Sequence, residues 1–131
     1  MVSDPIGDFI VRLKNASQVG KDTVAVPHSK LRLAVAEILE KKGYIKSINK
    51  KGKKTGRTIE VELKYNKDKT PTIVGVKRVS KPGRRIYQGA KDIRPVKYGK
   101  GLLVLSTPRG ILGGEEARKE NVGGEALFKI W

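Results

Sequence analysis

The sequence predicts an α+β fold of two small domains, and three observations carry that expectation. Residues 1–65 read α-β-α-β-β, which suits a three-stranded sheet packed on two helices. Residues 72–131 read as short strands with one short helix, a β-rich domain. Between them "NKDKTP" (66–71) is polar and ends in proline, a linker composition.

The elements follow in order. "SDPIGDFIVRLKNASQVG" reads as a helix, with Asp4 as N-cap and Pro5 at the first helical position. Ile6, Phe9, Ile10 and Leu13 fall at i, i+3, i+4 and i+7 and make one apolar face. Gly20 supplies the left-handed stop. "TVAV" (23–26) is a short strand ended by Pro27. Ser29 caps a second helix reaching about Lys42, with Leu31, Val35, Ile38 and Leu39 inward and Gly43 closing it. "YIKSINK" and "RTIEVELKY" each alternate apolar and polar, with the hairpin loop "KGKKTG" between.

In the second half, "TIVGVKRVS" is a strand, "KPGR" a turn and "RIYQ" the return strand. "AKDIRPVKYGKG" is irregular and basic, and "LLVLS" is a buried strand. "EEARKE" is a short helix whose glutamates suit its positive end. In "GEALFKIW", Ala126, Phe128 and Ile130 are expected on one face of a strand and Leu127, Lys129 and Trp131 on the other.

Charge points to function. The chain has 131 residues, 29 basic and 13 acidic side chains, and a formal net charge of +16. Residues 67–109 hold 12 basic residues against 2 acidic ones, so the excess is concentrated there. A compact chain this charged repels itself unless a polyanion relieves it. Nucleic acid is the first candidate, since each neutralised phosphate releases a counterion. A DNA-packaging or membrane-surface protein that uses only its charge is the alternative. No apolar run is long enough to span a membrane, and the start lacks the pattern of a secretory signal. The absence of cysteine excludes disulfides and thiolate metal sites and fits a reducing compartment such as the cytoplasm.

Catalysis finds no support. "GKKTGR" lacks the first glycine of a phosphate loop and precedes a strand, not a helix. His28 is the single histidine, and no nucleophile, base and orienting group can be assembled. Asp4 and Asp8 lie one helical turn apart and could hold a divalent ion in a nuclease, but Asp4 is better explained as a cap. The chain therefore reads as a non-enzyme without a cofactor or metal.

Binding motifs are richer. The run 41–57 has eight basic residues and no acid, with Lys53 and Lys54 at its loop. It suits either a solvated hairpin that guards a strand edge or a sequence-independent phosphate contact. "RVSKPGRRIYQGAK" sets Arg84 and Arg85 beside Tyr87, an aromatic among cations that suits bases and phosphates. The other reading of Tyr87 is a core ring.

"LLVLSTPRG" runs from a buried strand into Ser106, Thr107, Pro108, Arg109 and Gly110. Small hydroxyls on a stiff loop suit the shallow minor groove of an RNA helix, where 2′-OH groups are read. A plain turn with local hydroxyl-to-backbone bonds competes. A phosphorylation site is a third reading. "NVGGE" offers Gly123, Gly124 and Glu125, an acid that makes sense if it accepts from a base amine or holds a donor in place. An ordinary strand entry is its other reading.

The ordered set "SDPIGDFIVRLKNA", "VPHSKLRLAVAEILEKKGYI", "LKY", "GVKRVSKPGRRIY" and "STPRGIL…EEARKENVGGEALFKIW" resembles the bacterial small-subunit ribosomal protein eight family over essentially the whole chain. The resemblance implies a non-enzymatic constituent of the cytoplasmic ribosome, a monomer when free. It implies direct binding to the central domain of small-subunit ribosomal RNA, mostly through the C-terminal domain, which guides the folding of that RNA. The implied contacts are Ser106, Thr107, Gly110, Tyr87, Gly123, Gly124 and Glu125, with Arg84, Arg85, Arg109, Lys30, Lys53 and Lys54 in support. Expected neighbours are small-subunit proteins five and twelve, and the chain's own operon mRNA is a second RNA target in some bacteria. Two departures stand out. Pro108 replaces a third hydroxyl, and Gly113–Gly114 replaces an acidic cap, which weakens the helix start by a few tenths of a kcal/mol.

Overall fold

The computed structural model describes residues 4–52 and 56–131. The chain divides into two compact units, one spanning Asp8–Val74 and the other joining Asp4–Gly7 to Gly75–Trp131. The order of elements is α+β, as the sequence predicts.

In the first unit, α1 (Pro5–Gln18) and α2 (Lys30–Lys41) cover one face of an antiparallel sheet ordered β1-β3-β2. The strands are β1 (Thr23–Pro27), β2 (Ile45–Lys51) and β3 (Thr58–Leu63). Period-two alternation decides the sheet faces: Ile59, Val61 and Leu63 of β3 are buried, whereas Glu60 and Glu62 are half-buried. Phe9, Ile10, Leu13, Val35, Ala36, Ile38 and Leu39 complete this core. Ser29 caps α2 by accepting the Arg32 N–H at 3.1 Å. Leu31 corrects the expectation, being 41% exposed, and the buried stripe of α2 starts at Val35. The first turn is taken up by the cap and by Arg32, whose guanidinium folds back to the Pro27 carbonyl at 3.1 Å. Residues 66–71 form a closed turn, with Asn66 donating to the Thr70 carbonyl at 2.8 Å and Tyr65 bridged to Pro71.

The second unit is a five-stranded antiparallel sheet. β8 (Gly124–Ile130) is flanked on one side by β6 (Leu102–Thr107), which pairs in turn with β7 (Gly110–Gly113). The other edge of β8 takes β4 (Val76–Arg78) and β5 (Tyr87–Gln88), Val76 opposite Ile130 and Tyr87 opposite Glu125. "TIVGVKRVS" and "RIYQ" are therefore not partners in a hairpin. They run one after the other along the same strand, and "KPGR" is a loop thrown out between them. The reason is local. Lys81 and Arg84 exchange backbone hydrogen bonds at 2.9 Å across Pro82–Gly83. The buried Ser80 hydroxyl accepts the Ile86 N–H at 2.8 Å and donates to the Ile86 carbonyl at 3.1 Å.

A bulge changes the expected faces of β8. Val104 pairs with Phe128 but Leu105 pairs with Ala126, so Leu127 is an extra residue on β8. Neighbours on β6 point to opposite sides, so Ala126 faces away from Phe128 and Ile130. Ala126 joins Leu103, Leu105, Ile93, Val96 and Ala117 in one core, with Trp131 packed against it. Ala117 comes from α3 (Gly114–Lys119), whose Gly113 cap has no side-chain hydrogen bond. The irregular basic segment supplies Ile93 and Val96 through two 3₁₀ turns, Ala90–Asp92 and Lys97–Gly99.

Within this unit Arg78 holds the Asp4–Gly7 segment. Its guanidinium donates from Nε to Asp4 Oδ2 and from Nη2 to Oδ1, both at 3.1 Å, and from Nη1 to the carbonyl of the bulged Leu127. Asp4 also accepts the Gly7 N–H at 3.1 Å, which is its cap. Burial pulls the Asp4 carboxyl upward, but the hydrogen bonds from Arg78 and Gly7 and the charges of Arg78 and Arg85 outweigh it and hold it below its ordinary value. A carboxyl lowered in the folded state contributes stability that is complete above its unfolded value, near 3.8, and lost as pH falls through the folded one. Asp4→Asn is accordingly expected to lower the urea midpoint at pH 6, with the gap to the parent narrowing as pH falls below 3.8. A gap that stays constant with pH would show that the charge of Asp4 is not what stabilises the fold.

Candidate nucleic-acid interface

Three paired strands bring separated residues into one row. Ser106 on β6 lies opposite Glu125 on β8, and Tyr87 on β5 lies opposite the same Glu125. Directly opposed residues in antiparallel strands share a face. Leu105 and Ala126, one step along, point to the other face and into the core. The row Ser106–Glu125–Tyr87 thus stands on a surface whose reverse is packed with apolar side chains. Tyr87 is 71% exposed, which excludes the core reading of its ring.

Arg85, at the root of the thrown-out loop, donates from Nη1 to Glu125 Oε2 at 3.0 Å. Arg84 is exposed on the same loop. One edge of the row is therefore cationic, and its centre is a carboxylate whose charge Arg85 balances.

The β6–β7 hairpin sets the other edge. Thr107 pairs with Gly110 around the two-residue loop Pro108–Arg109. The Thr107 hydroxyl donates to the Gly110 carbonyl at 2.8 Å and accepts the Arg109 N–H at 3.1 Å. In the free protein it closes the turn, the competing reading from sequence, and keeps one lone pair of the oxygen for a further donor. Gly110 takes φ +110°, a region that side chains rarely enter. Arg109 reaches Glu120 Oε1 at 3.2 Å in an exposed pair, which contributes little to stability.

Gly123 and Gly124 are built into the framework. A Cβ on Gly123 would strike the Gln88 carbonyl oxygen and come within 2.8 Å of the Gly89 Cα. A Cβ on Gly124 would strike the Ser106 carbonyl oxygen and come within 3.0 Å of the Thr107 Cα. These glycines let β5 and β6 close on β8, where the row forms. Ser80, which pins the loop root, escaped sequence reasoning. A serine before Lys-Pro-Gly is an ordinary turn residue, and only its burial reveals the role.

One of the expected contacts lies elsewhere. Lys30 is the exposed first residue of α2 in the other unit. Lys53 and Lys54 fall outside the described residues. The two acids weighed as a metal pair have cationic partners, Asp4 in Arg78 and Asp8 in Arg12 at 3.0 Å.

A family model described as ribosomal protein S8 matches residues 4–131. The chain belongs to this family. Among its relatives, small ribosomal subunit protein uS8 of Roseiflexus castenholzii is 47% identical over 130 residues, covering 99% of this chain and 98% of that one. The uS8 protein of Persephonella marina is 46% identical over 136 residues, covering both chains in full. A member of the S8 family is a structural constituent of the small subunit of the cytoplasmic ribosome and not an enzyme. That agrees with the high net charge of the chain. Among the described residues no helix is long and apolar enough to cross a membrane.

Proposed function

We propose that this S8-family chain binds ribosomal RNA of the small-subunit central domain directly, through the surface centred on Ser106, Glu125 and Tyr87. The cross-strand row carries the reading: an exposed aromatic ring, a carboxylate and a hydroxyl in line, backed by a packed core and bordered by arginines. The ring offers a stacking platform, the carboxylate accepts from a base amine, and the hydroxyl meets a 2′-OH. Arg84 and Arg109 supply phosphate contacts, Arg85 supports the row through its bond to Glu125, Gly110 lets the nucleic-acid backbone approach, Gly123 and Gly124 let the strands beneath the row close, and Thr107 contributes its remaining lone pair. Lys30, Lys53 and Lys54 belong to a wider, sequence-independent contact. A rigid protein surface of this kind fixes how an irregular RNA helix folds. The resemblance to the family extends the reading to small-subunit proteins five and twelve as neighbours and to autorepression through the operon mRNA.

The test is competition between an irregular central-domain RNA helix, an unrelated RNA and duplex DNA, at two salt concentrations. The parent chain should prefer the cognate helix at both. Tyr87→Ala should lose about 1–3 kcal/mol on that helix with its thermal unfolding unchanged. Equal binding to every polyanion, with Tyr87→Ala indistinguishable from the parent, would overturn the reading in favour of charge alone.

A further inference from the structure

Glu125 poses a physical problem for the surface just described. It is the acid at the centre of the row, its side chain only 16% exposed, on a protein of net charge +16 that is read as gripping phosphates. Left bare, that carboxylate would repel an approaching RNA backbone. Its partner, Arg85, is 50% exposed and contacts Oε2 with one terminal nitrogen, Nη1. A guanidinium has five N–H donors, so most of them stay available. The pair is also built in from both sides. Glu125 is fixed between β6 and β5, and Arg85 is the residue before Ile86, whose N–H and carbonyl are both held by the buried Ser80 hydroxyl.

We infer that Arg85 is a positioning residue that acts through Glu125: it neutralises one carboxylate oxygen and fixes the group, leaving Oε1 to accept from the amino or imino N–H of an unpaired nucleobase beside the Tyr87 ring. The inference rests on the RNA-binding reading of this surface. It separates Arg85 from Arg84 on the same loop: Arg84 serves phosphates, whereas Arg85 makes an acid tolerable where phosphates gather. Loss of the arginine then does two kinds of damage. It removes a cation, and it unmasks a half-buried negative charge at the point where the base should dock, the costlier of the two effects.

A double-mutant cycle separates these terms. Arg85→Met, Glu125→Gln, the double variant and Arg85→Lys are titrated with the cognate RNA helix and with duplex DNA, and thermal unfolding is followed for each. Arg85→Met in the parent background should weaken the RNA helix by about 30-fold. The same change in the Glu125→Gln background should cost about threefold or less, because no charge remains to unmask. Arg85→Lys should stay within about fivefold of the parent, as it keeps the charge but loses the fork. Duplex DNA should register only the lost cation, by a similar small factor in both backgrounds.

An equal loss in both backgrounds would mean that Arg85 touches phosphate directly and would overturn the inference. So would unchanged RNA binding in all four variants alongside a lowered unfolding temperature, which describes a strut between strands and nothing more. If Arg85→Met fails to fold, the polar but uncharged Arg85→Gln, with and without Glu125→Gln, closes the cycle, and equal losses in both backgrounds overturn the inference there too. Tyr87→Ala tells the two readings apart. If it weakens RNA binding while the cycle is additive, the surface stands and the clamp falls; if it changes nothing, the surface itself is wrong.

Discussion

Gly124→Ala should destabilise the protein by about 3 kcal/mol and take specific RNA binding with it. The added methyl would meet backbone, the Ser106 carbonyl oxygen and the Thr107 Cα, and not the movable end of a side chain. Relief requires β6 and β8 to part at the point where Ser106 faces Glu125. A strand glycine pressed by a neighbouring backbone has no conservative replacement. Urea unfolding and RNA titration of the same variant check both halves. If Gly124→Ala unfolds like the parent, the close approach of β6 to β8 is not a constraint, and the row loses its structural basis. A variant that loses stability but binds RNA normally would show that the Ser106–Glu125 pairing is irrelevant to binding.

This glycine also shows how far a sequence can be read. Asp4, Pro5 and Ser29 announce two helices because a cap acts within one turn of itself. The alternation of β3 appears directly as buried and half-buried positions, because one face meets the helices. What sequence alone could not supply were facts of distance in space. The bulge at Leu127 flips Ala126 away from Phe128, and no local signal in "GEALFKIW" marks it. The carbonyl of that extra residue accepts from Arg78, 49 positions away, and from the Val79 N–H beside it. Ile93 and Val96 sit in a stretch that looks like basic loop, yet they fill the core behind β6. The site followed the same division. Ser106, Tyr87 and Glu125 stand out by residue type. Their alignment into one row, and the bond from Arg85 to Glu125, depend on strand pairing that spans the whole second unit.

Leu105→Ala should produce the opposite pattern to Gly124→Ala. Leu105 is fully buried among Ile93, Val96, Leu103, Ala117 and Ala126, and it points away from the row. Removing it leaves a cavity and should cost about 2–5 kcal/mol. The residue beside it, Ser106, is held by backbone pairing to both neighbours, Ile111 on β7 and Glu125 on β8. Those ladders do not depend on the volume of the side chain below. RNA affinity, measured well under the unfolding temperature, should therefore stay within about twofold of the parent despite the lost stability. A drop beyond about tenfold in chains still fully folded would place the site's geometry in core packing and not in the strand ladder. The two substitutions together locate the source of the row's rigidity. Gly124 governs how closely the strands approach and Leu105 how firmly the sheet is backed, so only a backbone origin predicts that one variant keeps RNA binding while the other loses it.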